Sequence, residues 1–144
     1  MSDAATRSIV VHTPPEKLYQ VVVDYEAYPK FLDNMKSAKI LRRDGSKVEV
    51  EFEVVLLGKA IAYTLLFDET LNKGIKWKLV KSSFMKENNG GWNLRPEGEG
   101  KTHATYSLEV KVSLFIPKSV STALAGAELP KVLEAFKKRA EASA

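Results

Sequence analysis

The side chains of this 144-residue sequence that could do chemistry are two histidines, three evenly spaced glutamates and a scatter of tyrosines and tryptophans. Side-chain catalysis would need a nucleophile beside a base, a pair of tuned carboxylates or a cluster of metal ligands. His12 precedes the turn Thr13-Pro14-Pro15, and His103 alternates outward by the phase of Tyr106 and Leu108, so the two imidazoles are expected at the surface rather than in a pocket. The chain has no cysteine, which excludes disulfides, thiolate zinc sites and cysteine nucleophiles. Glu49, Glu51 and Glu53 interleave with Val48, Val50, Phe52 and Val54, placing the carboxylates opposite the core, where Lys76 or Lys78 of nearby strands are expected to pair with them. Phosphate-cradling fingerprints are missing, and Gly98-Glu99-Gly100 reads as a turn. No catalytic residue, metal or cofactor is expected from these patterns.

Recognition of an apolar partner is the chemistry that remains. Thr102 to Leu114 alternates strictly, as do Val48 to Val54 and Ile75 to Leu79, so several strands share one greasy face. A sheet of six or seven such strands offers more apolar area than one helix covers, so either the sheet curls and side chains fill the gap or a cavity remains. Its lining is expected from Val50, Phe52, Val54, Tyr63, Leu65, Phe67, Trp77, Leu79, Trp92, Leu94, Tyr106, Leu108, Val110, Leu129, Leu133 and Phe136. Only the phenols and indoles of this set carry polar atoms, and each can orient a ligand by one hydrogen bond without moving a proton at neutral pH. Ordinary core packing explains any one of these residues equally well. The phase of Ala60 to Asp68 stays open because both of its faces are apolar.

The elements that hold this face follow in order. Ala5 to His12 reads as a first strand; Thr13 as N-cap with Glu16 in a capping box predicts a helix to about Asp24, burying Leu18, Val21, Val22 and Tyr25. Tyr28-Pro29 interrupts it, and Pro29-Lys30-Phe31-Leu32 predicts a second short helical turn. Strands then alternate with turns at Asp44-Gly45, Gly58, Asn72-Lys73-Gly74, Asn88-Asn89-Gly90-Gly91 and Gly98-Glu99-Gly100, an antiparallel meander. After Pro117 a helical stripe of Val120, Leu124, Leu129, Val132, Leu133, Phe136 and Ala140 predicts a long C-terminal helix, with a kink expected between Ala127 and Pro130 beside Gly126.

Length sets one domain, residues 1–144. Apolar content of 44% and charged content of 28% are those of a chain that folds unaided. The net charge of +4 suits an acidic partner or an anionic lipid surface, yet the lysines are dispersed along solvated faces, so nucleic acid is not an expected partner. Val54 to Phe67, the most apolar window, is broken by Gly58 and Lys59 and falls short of a membrane span. The Met1-Ser2-Asp3-Ala4 start lacks a basic segment followed by an apolar run, so a cytoplasmic location is expected.

The element order, together with Leu18 to Leu32 and its Tyr28-Pro29-Lys30-Phe31 core, the late Gly91-Trp92-x-Leu94-x-Pro96, Gly98, Gly100, Thr102, Tyr106-x-Leu108 segment and the ending Phe136-Lys137-Lys138-Arg139-Ala140-Glu141, resembles the polyketide cyclase/dehydrase and lipid transport family of START-like proteins, which includes coenzyme Q-binding proteins. The resemblance implies an α+β helix-grip fold, a curved antiparallel sheet of about seven strands wrapped on the C-terminal helix. It also implies a cavity for a hydrophobic small molecule such as a lipid, an isoprenoid quinone or a polyketide. Two other readings stay open: a cyclase or dehydratase in which Tyr63 or Tyr106 takes part, and a ribosome-, RNA- or protein-binding module in the manner of the family's ribosome-associated members.

Overall fold

The computed structural model describes residues 2–56, 58–82, 84–112 and 129–142. Seven strands form one antiparallel sheet in the order β1-β7-β6-β5-β4-β3-β2. They are β1 Ser2–Val11, β2 Met35–Asp44, β3 Lys47–Leu56, β4 Lys59–Thr70, β5 Gly74–Ser82, β6 Met85–Pro96 and β7 Thr102–Val112. Helix α1 spans Pro15–Val22, a 3-10 segment spans Tyr25–Lys30, and helix α2 spans Leu129–Ala142. The meander keeps neighbours in sequence adjacent in space, except that β1 closes onto β7, with Thr6 opposite Ser107. The expected first half of the terminal helix, with Val120, Leu124 and Gly126, lies outside the described residues, as does most of the expected kink; Leu129 and Pro130 open α2.

Most turns fall where glycine and asparagine predict them. Gly45 (φ 60°), Gly58 (φ 78°) and Asn72 (φ 61°) adopt the left-handed backbone that a tight reversal requires. Asn88 to Gly91 does not form the expected turn; it lies inside β6. The two glycines there answer a steric demand of the sheet. A Cβ on Gly90 would stand 2.3 Å from the Ser107 carbonyl oxygen and 2.5 Å from the Trp77 ring, so glycine makes room for an indole lying over the strand. The reversal comes earlier, where Ser82 Oγ accepts the backbone N–H groups of Phe84 (3.1 Å) and Met85 (3.2 Å). Gly90→Ala is expected to cost about 2–3 kcal/mol in urea unfolding by overpacking backbone against ring. Lys86→Ala, at an exposed position of the same strand, is expected to stay within about 0.5 kcal/mol.

The N-terminal helical unit also differs from expectation. Pro14 occupies the N-cap without a side-chain cap bond, and the Thr13 hydroxyl is buried without a partner. Thr13 serves the sheet instead: its carbonyl accepts the Thr102 hydroxyl at 2.7 Å, tying the end of β1 to the start of β7. Helix α1 stops at Val22, and Pro29 sits inside the 3-10 segment rather than opening a helix. Phe31 and Leu32 both donate their N–H groups to the Tyr28 carbonyl, which closes that segment. Tyr25 anchors it by donating to Glu69 of β4 (2.8 Å), whose carboxylate also receives Arg43 of β2 (2.8 Å).

Alternation sorts the sheet faces as expected. On β4, whose phase the sequence left open, Ile61, Leu65 and Phe67 are buried on the concave side with Tyr63 half-buried among them, while Ala62 and Asp68 are exposed. Glu49 pairs with Arg42 of β2 at 3.6 Å rather than with a β5 lysine, because β4 separates β3 from β5. Lys76 of β5 stands opposite Asp68 of β4 instead. Among the described residues no helix is long and apolar enough to cross a membrane.

Candidate functional site

The concave face of the sheet curls toward α2, which packs on α1 and β1. At that end Leu133 and Ala140 of α2 join Leu18 and Val22 of α1 with Val48, Val50, Leu94 and Ala104 in one buried core. Toward the other end a cavity of about 330 Å³ remains between the sheet, α2 and the stretch from Tyr28 to Met35. A volume of this size is at the lower end of ordinary small-molecule sites.

Of the side chains expected to line it, Phe52, Val54, Tyr63, Leu65, Phe67, Trp77, Trp92, Tyr106, Leu108, Leu129 and Phe136 border the cavity. Val50, Leu94, Val110 and Leu133 are buried but do not reach it, and Leu79 is half-buried away from it. Strand alternation gives the face of a residue but not its position along the groove, and Val50, Leu94 and Leu133 fall in the core where α1 and α2 close on the sheet. The structure adds Tyr28, Phe31, Leu32, Asp33, Asn34 and Met35 on one side, Asn88 on the sheet, and Lys131, Val132 and Ala135 on α2. The Tyr28-Pro29-x-Phe31 motif was the available signal for the first group. Asn88 was hidden by its Asn-Gly context.

Rings make up much of the wall and they meet edge to face. Phe136 stands 5.2 Å from Tyr28 at 89°, 5.1 Å from Phe31 at 84° and 5.1 Å from Trp92 at 65°. Trp92 meets Tyr106 at 5.0 Å and 80°. Such contacts direct the positive ring edge at a neighbour's electron-rich face, which fixes the wall more firmly than aliphatic packing does.

Polar atoms are few and specifically placed. Tyr28 donates its hydroxyl to the Val22 carbonyl. The Trp77 indole N–H donates to Asn88 Oδ1 at 2.9 Å, and Asn88 Nδ2 donates to Met85 Sδ at 3.6 Å. Burial pushes the Tyr63 and Tyr106 phenols above the ordinary tyrosine range, with Tyr63 adding to the effect on Tyr106. Both are therefore neutral hydrogen-bonding groups at physiological pH. The charged residues on the lining, Asp33 and Lys131, are exposed. Neither histidine borders the cavity: His103 is half-buried with Nδ1 3.5 Å from Glu97, and exposed His12 gives its backbone N–H to Glu141. Among the described residues no group of three or more histidines and carboxylates is placed to hold a metal ion.

Solved structures of known proteins share this architecture. The Zhui aromatase/cyclase from Streptomyces sp. R1128 superposes with a TM-score of 0.88 at 13% identity, over 98% of this chain and 94% of that one. A START superfamily protein from Mycobacterium smegmatis gives 0.85 at 22% identity, over 99% of both chains. At these identities the likeness is one of fold. In sequence, the ribosome association toxin RatA of Escherichia coli K12 is 27% identical over 104 residues, 72% of this chain and 65% of that protein, so the match spans less than two thirds of the relative's length. The family profile described as polyketide cyclase/dehydrase and lipid transport matches residues 11–137, which take in strands β2 to β7, α1 and most of α2, and the chain belongs to that family.

Proposed function

We propose that this protein binds an uncharged hydrophobic small molecule, of the size of a few fused rings or a short isoprenoid, between the sheet and α2. The observation that carries the proposal is the 330 Å³ cavity itself, walled largely by aromatic and aliphatic side chains beside a core of buried apolar residues. Burying roughly 300 Å² of apolar ligand surface at about 25 cal/mol per Å² is worth on the order of 7 kcal/mol before association costs. Without those costs the figure corresponds to a dissociation constant of about 10 μM, and the costs weaken it from there.

Titration with a neutral apolar dye such as N-phenylnaphthylamine tests this reading. Saturable binding, at tens of micromolar or weaker, is expected, with little change between low and high salt, because no ion pair forms. Ala135 borders the cavity from α2, so Ala135→Trp is expected to fill the space and weaken dye binding at least tenfold while the protein stays folded by circular dichroism. Equal dye affinity in the Ala135→Trp variant, or no saturable binding by the parent protein, would overturn the proposal. A steep salt dependence in binding to RNA, with an interior that takes up no dye, would instead favour the interaction role that the name of the bacterial relative suggests.

A further inference from the structure

Asn88 is the polar side chain in this cavity whose orientation the chemistry settles. It is only 7% exposed, borders the cavity, and lies on the same face of β6 as Trp92 by alternation. An indole N–H can only donate, so the atom 2.9 Å from Trp77 Nε1 must be the amide oxygen. That assignment turns Nδ2, with its two N–H groups, the other way. Its partner among the described residues is Met85 Sδ at 3.6 Å, a thioether and a weak acceptor. Among the described residues one amide N–H is thereby left without an oxygen acceptor on a side chain only 7% exposed, where an unmet donor is costly. Tyr63 and Tyr106 border the same cavity, and among the described residues neither hydroxyl has a hydrogen-bond partner.

We infer that Asn88 is a specificity-determining residue that selects, among apolar ligands, those carrying a hydrogen-bond-accepting oxygen, so that the ligand is an uncharged ring system bearing a carbonyl group. The inference rests on the cavity-binding function proposed above and adds to it the feature by which one apolar guest is told from another. A hydrocarbon would leave the amide N–H unmet. A carboxylate or ammonium group would be desolvated in a site whose charged lining residues, Asp33 and Lys131, are exposed at the surface. A carbonyl oxygen meets the donor at no charge cost, and the phenol hydroxyls of Tyr63 and Tyr106 can donate to its second lone pair. Rejection of an analogue that lacks the bonding group is a strong form of discrimination, because the protein's own polar group is then left unpaired.

Fluorene and fluorenone provide the test, since these three-ring molecules have nearly the same shape and differ by a methylene against a carbonyl. Both affinities are measured for the parent protein and for Asn88→Ala, and the preference for fluorenone over fluorene is expected to fall about tenfold in the variant. Tyr63→Phe and Tyr106→Phe are expected to lower that preference severalfold each. The infrared carbonyl stretch of fluorenone bound to the parent protein is expected at lower frequency than in hexane, and to return toward the hexane value in Asn88→Ala. This spectroscopic arm needs no substitution, so it stands even where Asn88→Ala does not fold because the Trp77 indole loses its acceptor. If both probes bind but the parent protein shows an unshifted carbonyl stretch, or an unchanged preference in the variant, the role of Asn88 is overturned and cavity binding survives. If neither probe binds, cavity binding itself fails, and the selectivity with it.

Discussion

Replacing Phe136 by alanine is expected to destabilise the protein by about 3–5 kcal/mol, the range for truncating a buried phenylalanine. The ring is 3% exposed and holds three aromatic neighbours at once, Tyr28 and Phe31 from the helical unit and Trp92 from the sheet. It is thus the point at which α2, the 3-10 segment and β6 are joined. A domain of this size has roughly 5–15 kcal/mol of total stability, so the loss is a large share of it. Equilibrium urea unfolding followed by tryptophan fluorescence measures the change, with Trp92 as a reporter in contact with the deleted ring. Lys138→Ala, an exposed change on the same helix, is expected to stay within about 0.5 kcal/mol. A Phe136→Ala loss below about 1 kcal/mol would show that α2 does not hold the sheet and the helical unit together.

The second large effect is alkaline unfolding driven by four phenols. Burial is the main reason that Tyr25, Tyr28, Tyr63 and Tyr106 all titrate above the ordinary value of 10, with the hydrogen bond to Glu69 adding to the effect at Tyr25. The folded protein therefore favours the protonated phenol, and the unfolded chain gives up its protons first. Stability from this source is fully present below the unfolded value of 10 and is lost as pH rises above it. Each phenol that stays protonated in the folded state contributes a limiting slope of about 1.4 kcal/mol per pH unit. Four such groups together remove about 5 kcal/mol by about pH 11, enough to unfold much of the population. Urea midpoints that hold steady up to about pH 9 and then fall steeply are the expected result. The double variant Tyr63→Phe, Tyr106→Phe breaks no hydrogen bond among the described residues and is expected to halve the slope. Midpoints that do not move up to about pH 11 would mean that these phenols ionise in the folded state as freely as in the unfolded chain.

Several features could be read from the residues because their causes are local. Val48, Val50, Phe52 and Val54 show which side of β3 is apolar, since successive side chains of a pleated strand point to opposite faces. Gly45, Gly58 and Asn72 mark reversals because a positive φ is cheap for these residue types. Asn88 to Gly91 misled for an instructive reason: the same glycines that permit a turn also permit an indole to lie on a straight strand, and only Trp77 on the neighbouring β5 decides between the two. Thr13 and Glu16 likewise spelled a capping box, yet Thr13 is engaged through its carbonyl with Thr102, a residue far along the chain.

The sequence alone determined an antiparallel meander of six or seven strands, the apolar face it presents and the aromatic character of that face, because pleat, turn and helix periodicities act over a few residues. Tertiary structure decided where along that face space remains open. That depends on how closely α1 and α2 approach the sheet, so Val50 and Leu133 are sealed in the core while Phe52 and Phe136 border the cavity. Tertiary structure also brought Leu32 to Met35 to the cavity's edge and joined Asn88 to Trp77. These placements arise from contacts between segments distant in sequence, whose packing is settled jointly and leaves no periodic trace in any one of them.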